Sequence, residues 1–270
     1  MTGDDLLASL ERYLDAVPRD HARTEEIGGF TLFVAESGWP YYARPRLGEC
    51  RGATTGEVRA VLARQEELGV PKQIEWVDET TPALLEVVRS MGIKVDVCPL
   101  LVLDGVPRGD SGAARLLHPD ERSEIVRCRA AISVGFANPG TSTGDPGTDA
   151  RDASVGQLGS GKVDESVFDR MRQGQLRQAA VYSHDQSAGP VGGGSYSPVG
   201  DVAEIAGVGV LPAHRRQGLA AALTYVLALD ARARGVSIVF CSAQTKDVAR
   251  VYERVGFRRV ATACIAASGP

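Results

Sequence analysis

No stretch of this chain approaches 18 consecutive apolar residues, so nothing in it is long enough to span a bilayer as a helix. Positive charge is not in excess: 30 Lys and Arg stand against 34 Asp and Glu, for a net charge of -4. A basic face is the usual footprint of nucleic-acid binding, and this balance gives no reason to expect one. Cysteine is sparse. The five (Cys50, Cys98, Cys128, Cys241 and Cys264) never fall in a Cys-x-x-Cys or Cys/His ligand pattern, and His118 and His184 lack partners at ligand spacing, so no metal is expected. An odd number of thiols with no secretory signal fits reduced cysteines in a cytoplasm. The opening MTGDDLLASLERYLDAV is acidic and amphipathic, unlike a signal peptide.

What remains is an ordinary globular composition, 43% hydrophobic and 24% charged, in a chain of 270 residues that is comfortable as two domains. Residues 104–113 (DGVPRGDSGA) combine Gly, Pro and Asp as a linker does, with 105–113 as its body. This predicts domains over 1–104 and 114–270. Residues 138–162 are rich in Gly, Ser, Thr and Asp, and read as a mobile loop. Before the linker the periodicity predicts a helix through Leu6, Leu10 and Leu14, a strand at 30–36, a helix at 56–69, a strand at 72–79, a helix from Thr81 to Gly92 and a strand at 93–104. After it come helices at 119–136 and 163–174, a hairpin from QLRQAAVYSHD and PVGGGSYSPVG, a strand at 201–212 and a long helix ending at Gly235. A strand at 236–243, a short helix ending at Gly256 and a last strand complete the α/β pattern. The GGGS of the hairpin lacks the Lys of a phosphate loop and opens no helix, so a strand end or bulge explains it better.

The two halves resemble each other. Sliding the chain by 164 residues places Gly92 on Gly256, Ile74 and Trp76 on Ile238 and Phe240, Thr81 on Thr245, and the helix around Val61 on that around Tyr225. A duplicated mixed-sheet unit flanked by helices accounts for this, although two α/β segments of shared period also produce matches by chance.

One junction carries chemistry. VLPAHRRQGLAAAL, residues 210–223, sets Arg215, Arg216 and Gly218 between an apolar strand and an Ala/Leu helix. The first N–H groups of a helix lack intrahelical partners and carry partial positive charge. A glycine lets a ligand approach the backbone, and arginines add full charge. The arrangement suits a phosphate or pyrophosphate; a solvated basic turn is the plain alternative.

The spacing Arg215-x-x-Gly218-x-Ala220 after VGVLP, together with VARVYERVGFRRV at 248–260, resembles the coenzyme-A signature and closing segment of the GNAT superfamily of acyl-CoA-dependent N-acyltransferases. The likeness covers about 60 residues in family order, and the whole chain resembles tandem proteins whose N-terminal GNAT-like half is degenerate. It implies two GNAT-like units. In the second, the main chain of Val208, Gly209 and Val210 would pair with the pantetheine arm of acetyl-CoA. The amides of Arg216, Gln217, Gly218, Leu219, Ala220 and Ala221, with Arg215 beside them, would hold its pyrophosphate. The strands beside Val208 would splay to admit the thioester.

It also implies roles for Glu204 as general base and Tyr252 as proton donor to the leaving thiolate. Substrate binding for Glu204 and core packing for Tyr252 are the competing roles. Thr245 stands where many members carry a pantetheine-binding Asn, and reaches less far. Cys241 reads as a nucleophile or, more commonly, as a small buried hydrophobe. Under the 164-residue offset Arg215 maps to Arg51, Gly218 to Thr54 and Tyr252 to Val88, so the first half is expected to be catalytically silent.

The expectation is acetyl transfer from acetyl-CoA as cosubstrate to the primary amine of a small molecule in a ternary complex, in the cytoplasm, with no metal and no membrane. Larger donors (long acyl-CoA, carrier-protein thioester or aminoacyl-tRNA), a non-catalytic acetyl-CoA sensor and a homodimer stay open.

Overall fold

The computed structural model describes residues 2–35, 41–49, 53–159 and 165–267. Cys50, Arg51 and the last residues of the expected 138–162 loop lie outside them. The described chain runs α1 (Gly3–Arg19), β1 (Ala22–Ile27), β2 (Phe30–Ala35), β3 (Ala43–Pro45), α2 (Thr55–Glu67), β4 (Gln73–Val77), α3 (Pro82–Ser90) and β5 (Val95–Leu103). It continues with β6 (Ala114–Leu116), α4 (Arg122–Ala137), α5 (Thr148–Gly159), α6 (Glu165–Arg172), β7 (Arg177–Tyr182), β8 (Pro190–Val199), β9 (Val202–Val210), α7 (Leu219–Ala233), β10 (Ile238–Ser242), α8 (Lys246–Val255) and β11 (Phe257–Ala267). The fold is mixed α/β, as expected.

Two compact units divide the chain at 1–100 with 260–270, and at 101–259. The first has strand order β1-β2-β3-β4-β11. Phe30, Leu32, Ile74, Trp76, Val58 and Val61 share its core with Cys264 and Ala266, contributed by the far end of the chain. Antiparallel pairing of Ala263 with Val77 and of Cys264 with Trp76 holds that segment in place. The boundaries 1–104 and 114–270 therefore need correction: residues 260–267 complete the first sheet. Conversely Leu101 and Leu103 pack in the core of the second unit. The expected linker is also a packed part of the second unit, with Arg108 N donating to Val255 O at 2.8 Å.

The second unit carries the order β10-β9-β8-β7-β6. One side of α7 buries Leu223, Leu227, Ala228 and Ala231, spaced as one face of a helix, against Ala179, Ala203, Ile205 and Val239 of the strands. Helix α4 lies so close to the strands that a Cβ at Gly193 would collide with Cys128 Sγ. The glycine run of β8 is thus a packing surface for α4. The stretch 138–162 is not a loop throughout. Its second half forms α5, fixed by the buried Arg151, whose Nη1 donates to Pro190 O at 2.8 Å. Small polar residues hid the helix because one buried arginine, rather than an apolar stripe, holds it.

Candidate functional site

Strand β9 is central in its sheet, yet its middle opens. It pairs in parallel with β10 at Ile238↔Val202, Val239↔Ala203 and Phe240↔Glu204, and the register ends at Glu204. On its other side the pairing with β8 runs on to Val210, with a shift between Gly193 and Ser195. Gly207, at φ +66, supplies the left-handed residue that this bulge needs. Past the last β10 pair, Ala206 is exposed and Gly207 and Val208 are half-buried. Glu204 is therefore the last β9 residue in register with β10, and Val208, Gly209 and Val210 lie beyond it. The carbonyl of Val210 accepts from Arg215 Nε at 3.2 Å.

The chain leaves β9 through a single 3-10 turn, Pro212–His214, and enters α7 at Gly218. Arg216 (φ 64) is the one non-glycine residue with positive φ among the described residues, and Gly218 follows at φ 79. Such backbone is uncommon outside glycine and marks a turn shaped by something other than local preference. No side chain caps α7, and its first intrahelical bond of the turn runs from Ala222 N to Gly218 O at 3.1 Å. The N–H groups of Leu219, Ala220 and Ala221 therefore have no partner within the helix. A Cβ built on Gly218 meets nothing within 4 Å, and Arg216, Gln217 and Gly218 are all exposed. The junction is bare and open.

Arg215 is placed differently from the expectation. Its guanidinium donates to the carbonyls of Gly135 (3.0 Å), Asn138 (2.6 Å) and Ser142 (3.3 Å) as well as Val210. It ties the segment after α4 to the end of β9 and supports the turn from behind. Thr245 caps α8: its Oγ1 accepts from Val248 N at 3.2 Å, so one of its two lone pairs is committed to the helix.

Tyr252, on α8, is 6% exposed and stacks at a tilt on Phe257, with ring centroids 6.1 Å apart. Its hydroxyl has no hydrogen-bond partner among the described residues. Burial raises its pKa far above the usual phenol value, and the neighbouring Cys241 and Glu204 raise it further. Cys241 is fully buried, and desolvation, reinforced by Glu204, keeps it a thiol. The nucleophile role therefore falls away, since the thiolate is the reactive form. Glu204, 48 positions away in sequence, is thus close enough to act on Tyr252.

The corresponding parts of the first unit are closed. Thr54, at the position matching Gly218, caps α2, and Glu57 completes a capping box. The Glu57 carboxylate accepts from Thr54 N at 2.9 Å and from Gly29 N at 3.1 Å. Arg44, matching Val208, is buried and pairs with Glu11 at 3.0 Å. A cavity of about 340 Å³ lies beside this helix start, but Glu49 and Glu57 line it, and carboxylates repel a diphosphate. Val88, matching Tyr252, is core.

Glu57, the Gly207 bulge and the positive φ of Arg216 escaped the sequence reading; only the Thr-x-x-Glu spacing of 54–57 signalled the first. No group of three or more potential metal ligands occurs among the described residues, and no helix there is long and apolar enough to cross a membrane.

Residues 157–257 match the model of the Acetyltransferase (GNAT) family. No curated protein matches the sequence. Among solved structures, a GCN5-related N-acetyltransferase from Kribbella flavida is 18% identical, with a TM-score of 0.66 over 98% of this chain and 96% of that one. A conserved protein of unknown function from Staphylococcus epidermidis is 15% identical, TM-score 0.55, over 91% and 93%. A GCN5-related N-acetyltransferase from Sphaerobacter thermophilus is 15% identical, TM-score 0.52, over 90% and 82%. These likenesses show the fold, and it extends over nearly the whole chain.

Proposed function

We propose, from the premise that this chain carries a GNAT acetyltransferase domain over residues 157–257, that it moves the acetyl group of acetyl-CoA to the primary amine of a small molecule. The observation that carries this reading is a coincidence of two openings on one strand. The β9–β10 pairing stops at Glu204, β9 runs six residues further to Val210, and a 3-10 turn then leads to the uncapped start of α7 at Gly218. At about 3.3 Å per residue that stretch of strand spans on the order of 20 Å, the scale of an extended pantetheine arm.

The amides at the start of α7, with Arg216 beside them, hold the diphosphate; Arg215 acts through the turn it braces. The ammonium of the acceptor gives a proton to Glu204, directly or through a water. The freed nitrogen lone pair attacks the thioester carbonyl, the C–S bond breaks as Tyr252 protonates the leaving thiolate, and the second N–H proton of the new amide returns to the phenolate. Products are the N-acetyl amine, free coenzyme A and one proton released to solvent. Burial keeps the Tyr252 phenol protonated, so it carries a proton to donate. Four free buried cysteines fit the reducing cytoplasm in which acetyl-CoA is made and used.

Titration calorimetry with acetyl-CoA, followed by thiol release across a panel of amines, tests the reading. Saturable binding with stoichiometry near one and amine-dependent thiol release are expected. Absence of binding overturns it, and binding without thiol release for any amine turns it into a sensor.

A further inference from the structure

Helix α4 crosses its sheet instead of following one strand. Cys128 Sγ lies over β7 and β8, 3.5 Å from Ala179 O and 3.8 Å from Gly192 O. One turn later Ile132 reaches both β8 and β9. A Cβ at Gly193 would come within 3.2 Å of its Cδ1, and one at Gly209 within 3.2 Å of its Cα. In the last turn the contacts are with β9: a Cβ at Gly135 would lie 3.2 Å from Val210 N, and one at Gly209 would lie 3.5 Å from Phe136 Cδ2. The helix thus steps from β7 over β8 to β9, and Phe136 stands on the part of β9 past its last pair with β10. Phe136 is 45% exposed there, whereas the other five phenylalanines of the chain are buried.

A single exposed apolar side chain is ordinary; what distinguishes this one is the strand beneath it. On the α4 side of β9, Gly209 offers no side chain, and Ile132 leaves no room for one. On the other side Val208 turns toward α7, since a Cβ at Gly194 would meet Val208 Cγ2 at 3.0 Å and Leu227 Cδ1 at 3.1 Å. The main chain of β9 at Val208 and Gly209 is therefore flanked by Val208 on one face and by the ring of Phe136 on the other.

We propose that Phe136 is a donor-binding residue whose ring covers the pantetheine arm of acetyl-CoA along Val208, Gly209 and Val210. This rests on the acetyltransferase reading above. An extended arm that pairs its amides with a strand edge, as an added strand does, turns its methylenes and its dimethyl group out of the plane of the sheet. Those groups gain by leaving water, and they need an apolar surface on each face. Val208 supplies one and Phe136 the other. The occupant is the donor arm and not the acceptor amine, because Gly209 lies five positions past Glu204, on the order of 15 Å along the strand from the proposed base.

The test is titration calorimetry of the full-length protein, Phe136→Ala and Phe136→Leu with two ligands. One is acetyl-CoA; the other is the adenosine bisphosphate fragment of coenzyme A, which keeps the nucleotide end and lacks the arm. Phe136→Ala is expected to weaken acetyl-CoA about 10-fold, and Phe136→Leu, which keeps an apolar group, to stay within about 3-fold of the unsubstituted protein. The fragment should bind all three proteins alike. Equal acetyl-CoA affinity in the unsubstituted protein and Phe136→Ala overturns the assignment. So does an equal loss of both ligands, which would mean that the turn before α7 had moved. A raised KM for the amine with acetyl-CoA affinity intact would hand the ring to the acceptor and overturn it as well. In each of these cases the unsubstituted protein still binds acetyl-CoA, so the acetyltransferase reading stands; if it binds neither ligand, that reading falls and the role of Phe136 with it. A circular-dichroism melt of each variant separates loss of contact from loss of fold.

Discussion

Helices α2 and α7 begin with first turns of opposite design. At α2, Thr54 and Glu57 satisfy two of the first-turn amides from within, and the carboxylate reaches on to Gly29. At α7 the matching positions are Gly218 and Ala221, which offer nothing, and the amides stay available. A helix start can be stabilised by its own side chains or kept vacant for an anion, but the same N–H groups do not serve both ends. The first unit has taken stability and the second has kept a binding surface. The strand gap follows suit: in the first unit a buried Arg44–Glu11 pair stands where the second has Val208.

Exchanging features between the units would sharpen or break this contrast. The largest effect is expected from Tyr252, whose counterpart is Val88. Tyr252→Phe should lower kcat about 10- to 10⁴-fold while acetyl-CoA binding holds, and an unchanged single-turnover rate would return the residue to a packing role. Next comes Ala221→Glu, which copies Glu57 onto α7. A carboxylate there should weaken acetyl-CoA about 100-fold by calorimetry, while a negative charge in a first helical turn adds about 0.3–1 kcal/mol of stability. Opposite signs in binding and melting are the signature; parallel losses would mean misfolding. Thr54→Ala should do the reverse, lowering stability by about 1 kcal/mol in denaturant melts with acetyl-CoA affinity untouched. If it created a second stoichiometric acetyl-CoA site, the silence of the first unit would rest on that cap alone.

The smallest effect concerns pH. Burial pushes Glu75 up to about 7, against the opposing pull of Arg44 and a hydrogen bond from Gln73. The fold favours its neutral form, so this contribution is fully present below the ordinary carboxylate value and is lost as pH rises through about 7. Glu75→Gln should flatten the fall in melting temperature between pH 5 and pH 8; an unaltered slope would assign that fall to other groups.

Several parts of this molecule were legible in the chain. Helices α2, α3, α7 and α8 announced themselves through 3.6-residue spacing and caps such as Thr81-Pro82 and Gly256. Strands β7 and β8 showed as an alternating pair, β9 as a strand with small residues along it and β10 as a buried strand. Strand β1, with polar residues on an edge, and β3 and β6, three residues each, are too polar or too short to carry a period. Helix α5 depends on the buried Arg151 finding a carbonyl 39 positions away.

At the candidate site the sequence by itself determined a bare glycine-led helix start, a carboxylate on the strand before it and a tyrosine on the helix after. These are matters of local spacing and residue chemistry, which one dimension records. Only the tertiary structure decided that Arg215 faces four carbonyls, that Thr245 caps its own helix and that residues 260–267 close the first sheet. It also decided that Arg170 donates to the hydroxyl of Ser197, 27 positions away. Each of these depends on which distant polar group comes within about 3 Å, a distance that chain position does not encode.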